Sequence, residues 1–318
     1  MRTRRAAKYG GPSRRLGTAA LIAALAWLLC LDIVWSQPPA AMQPATRQRS
    51  ARLDKKMNIE DILQALREHR GSAVALAPGA PADLAIEVEH ALPQLDDQAR
   101  ALAALCVIRR NGPESGPVLL RMTGDTSSQV SIKAATGLFE KVPMTDAPTA
   151  DAILTVIPQR KNEAVRGYLY LMVGRRNGTP DDDRHLTTLR KLEVQESDKN
   201  ALQRVQVAAT RLGGQPERAA FLERIRAAGP DEATNICDQL VYVGDPRLAK
   251  GMMPWFGNMA SVFRLGSDRD NRMARMCDLA VWTAHELGVT FAMTPKYLSN
   301  FSQGTLTAAE TALKALTN

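Results

Sequence analysis

The chain has 318 residues, 45% apolar and 5% aromatic, with 41 Lys plus Arg against 33 Asp plus Glu and four Cys. This length suits one large domain or two ordinary ones, and the apolar fraction excludes a wholly disordered or collagenous chain. The formal charge of +8 invites a nucleic-acid reading until it is located. Residues 1–36 carry Arg2, Arg4, Arg5, Lys8, Arg14 and Arg15 against Asp32 alone, a local charge of +5, and the remaining 35 basic and 32 acidic residues give +3. The rest of the chain therefore gives no special reason to expect DNA or RNA.

The same first segment runs from its basic stretch into Thr18 to Leu31, continuously apolar after Thr18, and reaches Val34-Trp35-Ser36 before Gln37 and two prolines. A basic region, an apolar run and small residues at a cleavage position predict a secretory signal peptide over 1–36. Extended through Trp35, the run is about 18 residues, the lower limit for a bilayer span, so an uncleaved signal anchor is the second reading. Lipidation at Cys30 is disfavoured because Leu28-Leu29 replace the small residue that processing needs. Ser13-Arg14-Arg15 resembles a twin-arginine signal only in part, since Gly17 and Thr18 stand where bulky apolar residues are expected. Residues 37–56, rich in Pro, Gln, Ala and basic side chains, read as a disordered tether.

Order is expected from Asn58, where Ile59, Ile62, Leu63 and Leu66 share one face of a helix running to Gly71. Residues 57–79 would form an N-terminal capping helix and loop. From residue 80 onward prolines recur at Pro113, Pro143, Pro180, Pro216 and Pro246, with spacings of 30, 37, 36 and 30. Most follow a helix-stopping residue, as in Asn111-Gly112-Pro113, Gly213-Gly214-Gln215-Pro216 and Gly244-Asp245-Pro246. Gly or Asn ends one helix in the left-handed conformation and Pro opens the next, where its missing donor had no partner.

Before each joint lies a helix of the pattern Val-Arg-x-x-Ala-Ala-x-x-Leu. It appears around Arg100, Ala103, Ala104 and Val107; Val130, Ala134, Ala135 and Leu138; Val165, Arg166, Leu169 and Val173; and Arg204, Ala208, Ala209 and Leu212. Offsets of four, five and eight place these side chains on one face, and the small residues permit close helix packing. Two further copies, Ile236-Cys237-Asp238 and Met276-Cys277-Asp278, stand 40 residues apart. A second apolar segment precedes each helix (84–95, 118–122, 152–157, 186–192, 219–225), so one repeat is predicted to be two antiparallel helices.

With Asn162-Glu163-Ala164-Val165-Arg166 as the best match, residues 80–290 resemble the HEAT-repeat family, including its shorter bacterial variants. The pattern departs from the family where Ser131 replaces Arg and where Arg is absent from the last two copies. The drifting period and the lack of a Trp-x-x-Leu-Gly pattern argue against tetratricopeptide repeats. The resemblance implies an all-α fold, an α-solenoid of about five to six antiparallel helix pairs. A C-terminal cap is expected over 291–318, with Thr307-Ala308-Ala309-Glu310 as a capping box and Leu306, Leu313 and Leu316 as its apolar stripe.

No catalytic constellation emerges, and neither a cofactor nor a metal site is expected. His285-Glu286 lacks a second His at Val289. Asp181-Asp182-Asp183 with His185 reads as the acidic start of a helix, favoured by its dipole. Cys106, Cys237 and Cys277 form no Cys-x-x-Cys motif and are expected as buried free thiols, with a Cys237–Cys277 disulfide as the alternative in an oxidising compartment. The recurrent order of acid then base (Asp97 and Arg100, Asp125 and Lys133, Glu163 and Arg166, Asp198 and Arg204) predicts a ladder in which each turn carboxylate meets an Arg of its own or the next repeat, with a basic ridge for an acidic partner as the second reading. Arg109-Arg110 and Arg175-Arg176 end their helices where the dipole favours positive charge.

Of 12 aromatic residues after position 36, seven fall between 255 and 301, among many Met residues and around the polar stretch from Gly266 to Arg272. Two readings remain for this region: a bulkier core that closes the stack, or a partner-binding patch made by Met253, Trp255, Phe256 and Phe263. The leading expectation for the whole chain is a non-enzymatic exported scaffold that binds an unidentified envelope protein, in the periplasm or held to the inner membrane by residues 18–35. The alternative is a ligand-handling or lyase-like enzyme on the same scaffold. A nucleic-acid-binding solenoid, which would need a basic groove, ranks third.

Overall fold

The computed structural model describes residues 58–265, 272–292 and 295–316. The expected signal peptide and tether lie outside the described residues. Asn58 opens α1 (Ile59–Arg67) by accepting a hydrogen bond from the Glu60 N–H, and Ile62, Leu63 and Leu66 are buried as their spacing predicts. The helix stops before Gly71 because His69 adopts φ +53°, and a short α2 (Ser72–Leu76) follows.

Two sets of helices then alternate along the chain. α3 (Leu84–Ala91), α5 (Ser115–Met122), α7 (Ala150–Val156), α9 (Asp182–Gln195) and α11 (Gln215–Ala227) alternate with α4 (Asp97–Arg110), α6 (Ser128–Glu140), α8 (Glu163–Arg175), α10 (Lys199–Arg211) and α12 (Pro230–Val243). Each of α4, α6, α8, α10 and α12 packs on the next in a single row, while α3, α5, α7 and α9 each pack on the row helix that follows them. The fifth pair departs from this pattern, because α11 lies on α10 and on a 3-10 segment over Pro246–Gly257. The protein is thus predominantly helical, built of packed consecutive helices.

The joints form as their residues dictate. Asn111 takes φ +48° after α4, Gly213 φ +92° after α10 and Gly244 φ +72° after α12. Asp96, Thr149, Asn162 and Asp198 cap α4, α7, α8 and α10 through backbone N–H groups, each stabilising its helix by about 1 kcal/mol. Val130, Ala134, Ala135 and Leu138 are fully buried, as are Val165, Leu169 and Val173, so the shared pattern is the core face of the row. The core forms two clusters that meet in α10: Val205 and Ala208 belong to the N-terminal one, Val207 to the C-terminal one.

Two corrections concern the C-terminal end. An antiparallel hairpin pairs β1 (Ser261–Arg264) with β2 (Met273–Arg275), so the chain is not wholly helical there. After α13 (Met276–Glu286), α14 (Gln303–Ala315) begins four residues before the expected capping box, since Ser302 takes the Thr305 N–H and leaves Thr307 inside the helix. Leu306 and Leu313 are nevertheless buried, as their stripe requires.

Candidate partner-binding surface

The two ends of the row helices treat arginine differently. Near their N-terminal ends, Arg100 donates through Nε and Nη2 to Asp125, through Nη2 to Asp97 and through Nη1 to the Leu95 carbonyl. Arg166 repeats the arrangement one pair further on, donating Nε and Nη2 to Glu196 at 2.8 Å each and Nη1 to the carbonyls of Arg160 and Lys161. The Arg166 guanidinium, first among the causes, holds Glu196 below the usual carboxylate range against the opposing effect of burial. The predicted ladder is therefore present at Arg100 and Arg166, each reaching the next joint. It is absent at Asp198, which spends its carboxylate on the N–H groups of Asn200 and Ala201.

At the C-terminal ends the arginines meet aromatic rings instead. Arg175, the last residue of α8, lies 5.3 Å from the Phe139 ring centroid and donates Nη1 to the Phe139 carbonyl. Arg211, the last residue of α10, lies 4.8 Å from the Tyr242 centroid and donates Nη1 to the Tyr242 carbonyl. Arg204, in the N-terminal half of α10, departs from the arrangement at Arg100 and Arg166 and covers Tyr168 at 4.3 Å. The Phe139 ring stands 5.9 Å from Tyr168 and 6.1 Å from Tyr242, which joins the three pairs into one half-buried cluster across α6, α8, α10 and α12. Arg176 donates to the Ala147 carbonyl at its margin.

The cluster is electrostatically incomplete. Among the described residues no carboxylate pairs with Arg175, Arg176 or Arg211, and the Nε atoms of Arg176 and Arg211 are buried without an acceptor. Burial first, and the neighbouring Arg175 charge last, lower Arg211 from the ordinary arginine value, while Tyr242 opposes them. Arg211 remains charged at any physiological pH. Chemically, the surface offers guanidinium N–H donors beside rings whose faces guanidiniums already occupy, which suits recognition of an anion by contact.

Backbone accommodation makes this possible. Tyr242 lies across α10 and its Oη donates to the Leu171 carbonyl of α8 at 2.6 Å. A Cβ on Gly174 would strike the Tyr242 hydroxyl and come within 3.0 Å of the Ala208 Cα, so Gly174 provides the channel.

The residues singled out from sequence lie elsewhere. Trp255 is 2% and Phe256 6% exposed, with the Trp255 Nε1 donating to the Ile225 carbonyl, so both are core residues of the C-terminal cluster rather than members of an accessible patch. Met253 and Phe263 are half-buried against that same core. Exposed apolar side chains in this region are Met259, Met273 and Tyr297. Asp278, buried at the start of α13, accepts from the Arg275 side chain, Asn300 and the Phe301 N–H and closes the C-terminal end. Asp182 and Asp183 occupy the first turn of α9. Cys106, Cys237 and Cys277 are free and buried, and burial pushes the first two thiols up to about 12.

Sequence reasoning noted Arg175-Arg176 only as helix-end charges and missed the rings beneath the arginines. A signal was available: Phe139 and Arg175, and Tyr168 and Arg204, are each 36 residues apart, the spacing of one repeat. Among the described residues no group of three or more His, Cys, Asp or Glu is placed to hold a metal ion, and no helix is long and apolar enough to cross a membrane. Comparison of the chain with protein-family models, with curated proteins and with solved structures found no match.

Proposed function

We propose that the protein is a non-enzymatic helical-repeat scaffold of the HEAT-like solenoid kind, exported to the cell envelope, that binds another protein across the row α6, α8, α10 and α12. The observation that carries this reading is the arginine and aromatic cluster around Phe139, Tyr168, Arg175, Arg211 and Tyr242, which spans four helices. Tyr and Arg dominate the energetic centres of protein interfaces, and a stack of helix pairs offers a broad surface per residue. The basic apolar segment at residues 1–36 supports export, and the near balance of charge in the remainder argues against a nucleic-acid groove.

The test places a photo-crosslinking amino acid in the full chain at Lys141 or Asn177, exposed positions just beyond α6 and α8. One discrete crosslinked protein is expected from the envelope fraction, and none from an equivalent probe at Val194, an exposed position near the end of α9. Recovery of the chain only from cytosol, or equal crosslinking from both positions, would sink the scaffold reading.

A further inference from the structure

We propose that the Arg175 and Arg211 cluster takes a carboxylate-rich segment of a partner polypeptide, an acidic strand or loop whose Asp or Glu side chains meet the guanidinium Nη groups. The inference rests on the scaffold reading above and names the chemistry of its partner.

Carboxylates within the molecule already define how this fold satisfies arginine. Arg100, Arg166, Arg190 and Arg275 each place Nε and an Nη against the two oxygens of one carboxylate, on Asp125, Glu196, Glu217 and Asp278. Arg175, Arg176 and Arg211 have the same forks and spend one N–H each on a backbone carbonyl. A backbone carbonyl satisfies one donor but offsets little of a half-buried positive charge, and Arg175 and Arg211 lie over two rings, Phe139 and Tyr242, whose centroids are 6.1 Å apart. A carboxylate reaching the Nη groups of this pair would offset their charge and form charge-assisted hydrogen bonds in a partly desolvated site.

Other polyanions fit less well. Single-stranded nucleic acid binds by stacking bases on open aromatic faces, but Phe139, Tyr168 and Tyr242 each carry a guanidinium over the ring. Strong phosphate-backbone binding also needs many contacts along an extended track, whereas this cluster is compact. An anionic bilayer attracts clusters of basic side chains that reach outward, and these arginines are tied to the backbone of neighbouring segments, at Phe139, Ala147 and Tyr242. The side chains of an acidic peptide can enter singly between the forks.

The full chain would be titrated with fluorescein-labelled octaglutamate, with octathymidylate and with phosphatidylglycerol vesicles at low salt. Octaglutamate should bind most tightly. Arg175→Gln and Arg211→Gln should each weaken it about tenfold, and Arg184→Gln, which breaks an exposed pair with Asp151, should leave it unchanged. Where a glutamine variant loses its far-UV spectrum, Arg211→Lys supplies the same test, because it keeps the charge and removes the fork. Unchanged octaglutamate affinity in these variants would overturn the proposal, as would tighter binding of the oligonucleotide or the vesicles. A crosslinked partner that persists undiminished in Arg175→Gln would defeat the acidic-segment inference and leave the scaffold standing; absence of any crosslink would defeat the scaffold and, with it, the partner named here.

Discussion

Glu196 shows how much one side chain can hold in place. Its side chain is 2% exposed, it accepts both Nε and Nη2 of Arg166, and it also takes the Tyr170 hydroxyl and the Asp198 N–H. Removing one member of a buried pair strands the other, so Glu196→Gln should cost roughly 2 to 3 kcal/mol in a urea titration at neutral pH. The folded value of Glu196 lies below the ordinary 4.5, so its contribution is complete above that value and is lost as pH falls through the lower folded value. Stability of the native chain should therefore drop from about pH 5 downward more steeply than that of Glu196→Gln, and equal slopes would show that Glu196 is not the coupled group. The pairing was only half legible. Glu163 and Arg166 lie on one helical face, and spacing favours them, yet Arg166 turns to Glu196 across the joint. A contact that depends on how two helix pairs stack leaves no mark at short range in the chain. Burial of the thiols was legible, because Cys106 and Cys237 fall at core positions of the repeated pattern.

Among the elements, α8, α10 and α12 are locked by small residues facing large ones. Gly174→Ala would force the Tyr242 hydroxyl off the Leu171 carbonyl and crowd the Ala208 backbone. Despite the better helix propensity of alanine, this substitution should destabilise the protein by about 1 to 3 kcal/mol; a more stable Gly174→Ala in thermal unfolding would mean that Tyr242 is free to move. Helix positions were readable from Pro, Gly and Asn at the joints, since the physics that ends a helix is local. The hairpin of β1 and β2 was not readable, because each strand is short and the polar stretch from Gly266 to Arg272 separates them. The start of α14 was misplaced for a related reason: Gly304 resembles a breaker and Thr307-Ala308-Ala309-Glu310 resembles a box, but the Ser302 cap comes first and the helix absorbs both.

On the scale of the molecule, the two apolar clusters divide at α10, beside a cavity of about 260 Å³ lined by Glu193, Gln206, Val207, Phe221 and Arg224. Beyond it, long helices give way to a 3-10 segment and a hairpin, elements with less continuous backbone bonding. The C-terminal cluster should open first. Trp255 and Trp282 both lie in that part, so their fluorescence should change at lower urea than far-UV ellipticity does, and coincident transitions would establish one cooperative unit. The phenol of Tyr242 bears on the opposite question, how motion is prevented. In a row where each helix touched only its neighbours, small rotations at successive joints would accumulate and the row would flex like a spring. A tie from α12 to α8 that skips α10 acts as a splint: the three helices must turn together. Local curvature is set there by a single hydrogen bond, and any ligand gripping both Arg175 and Arg211 would find them at a fixed span.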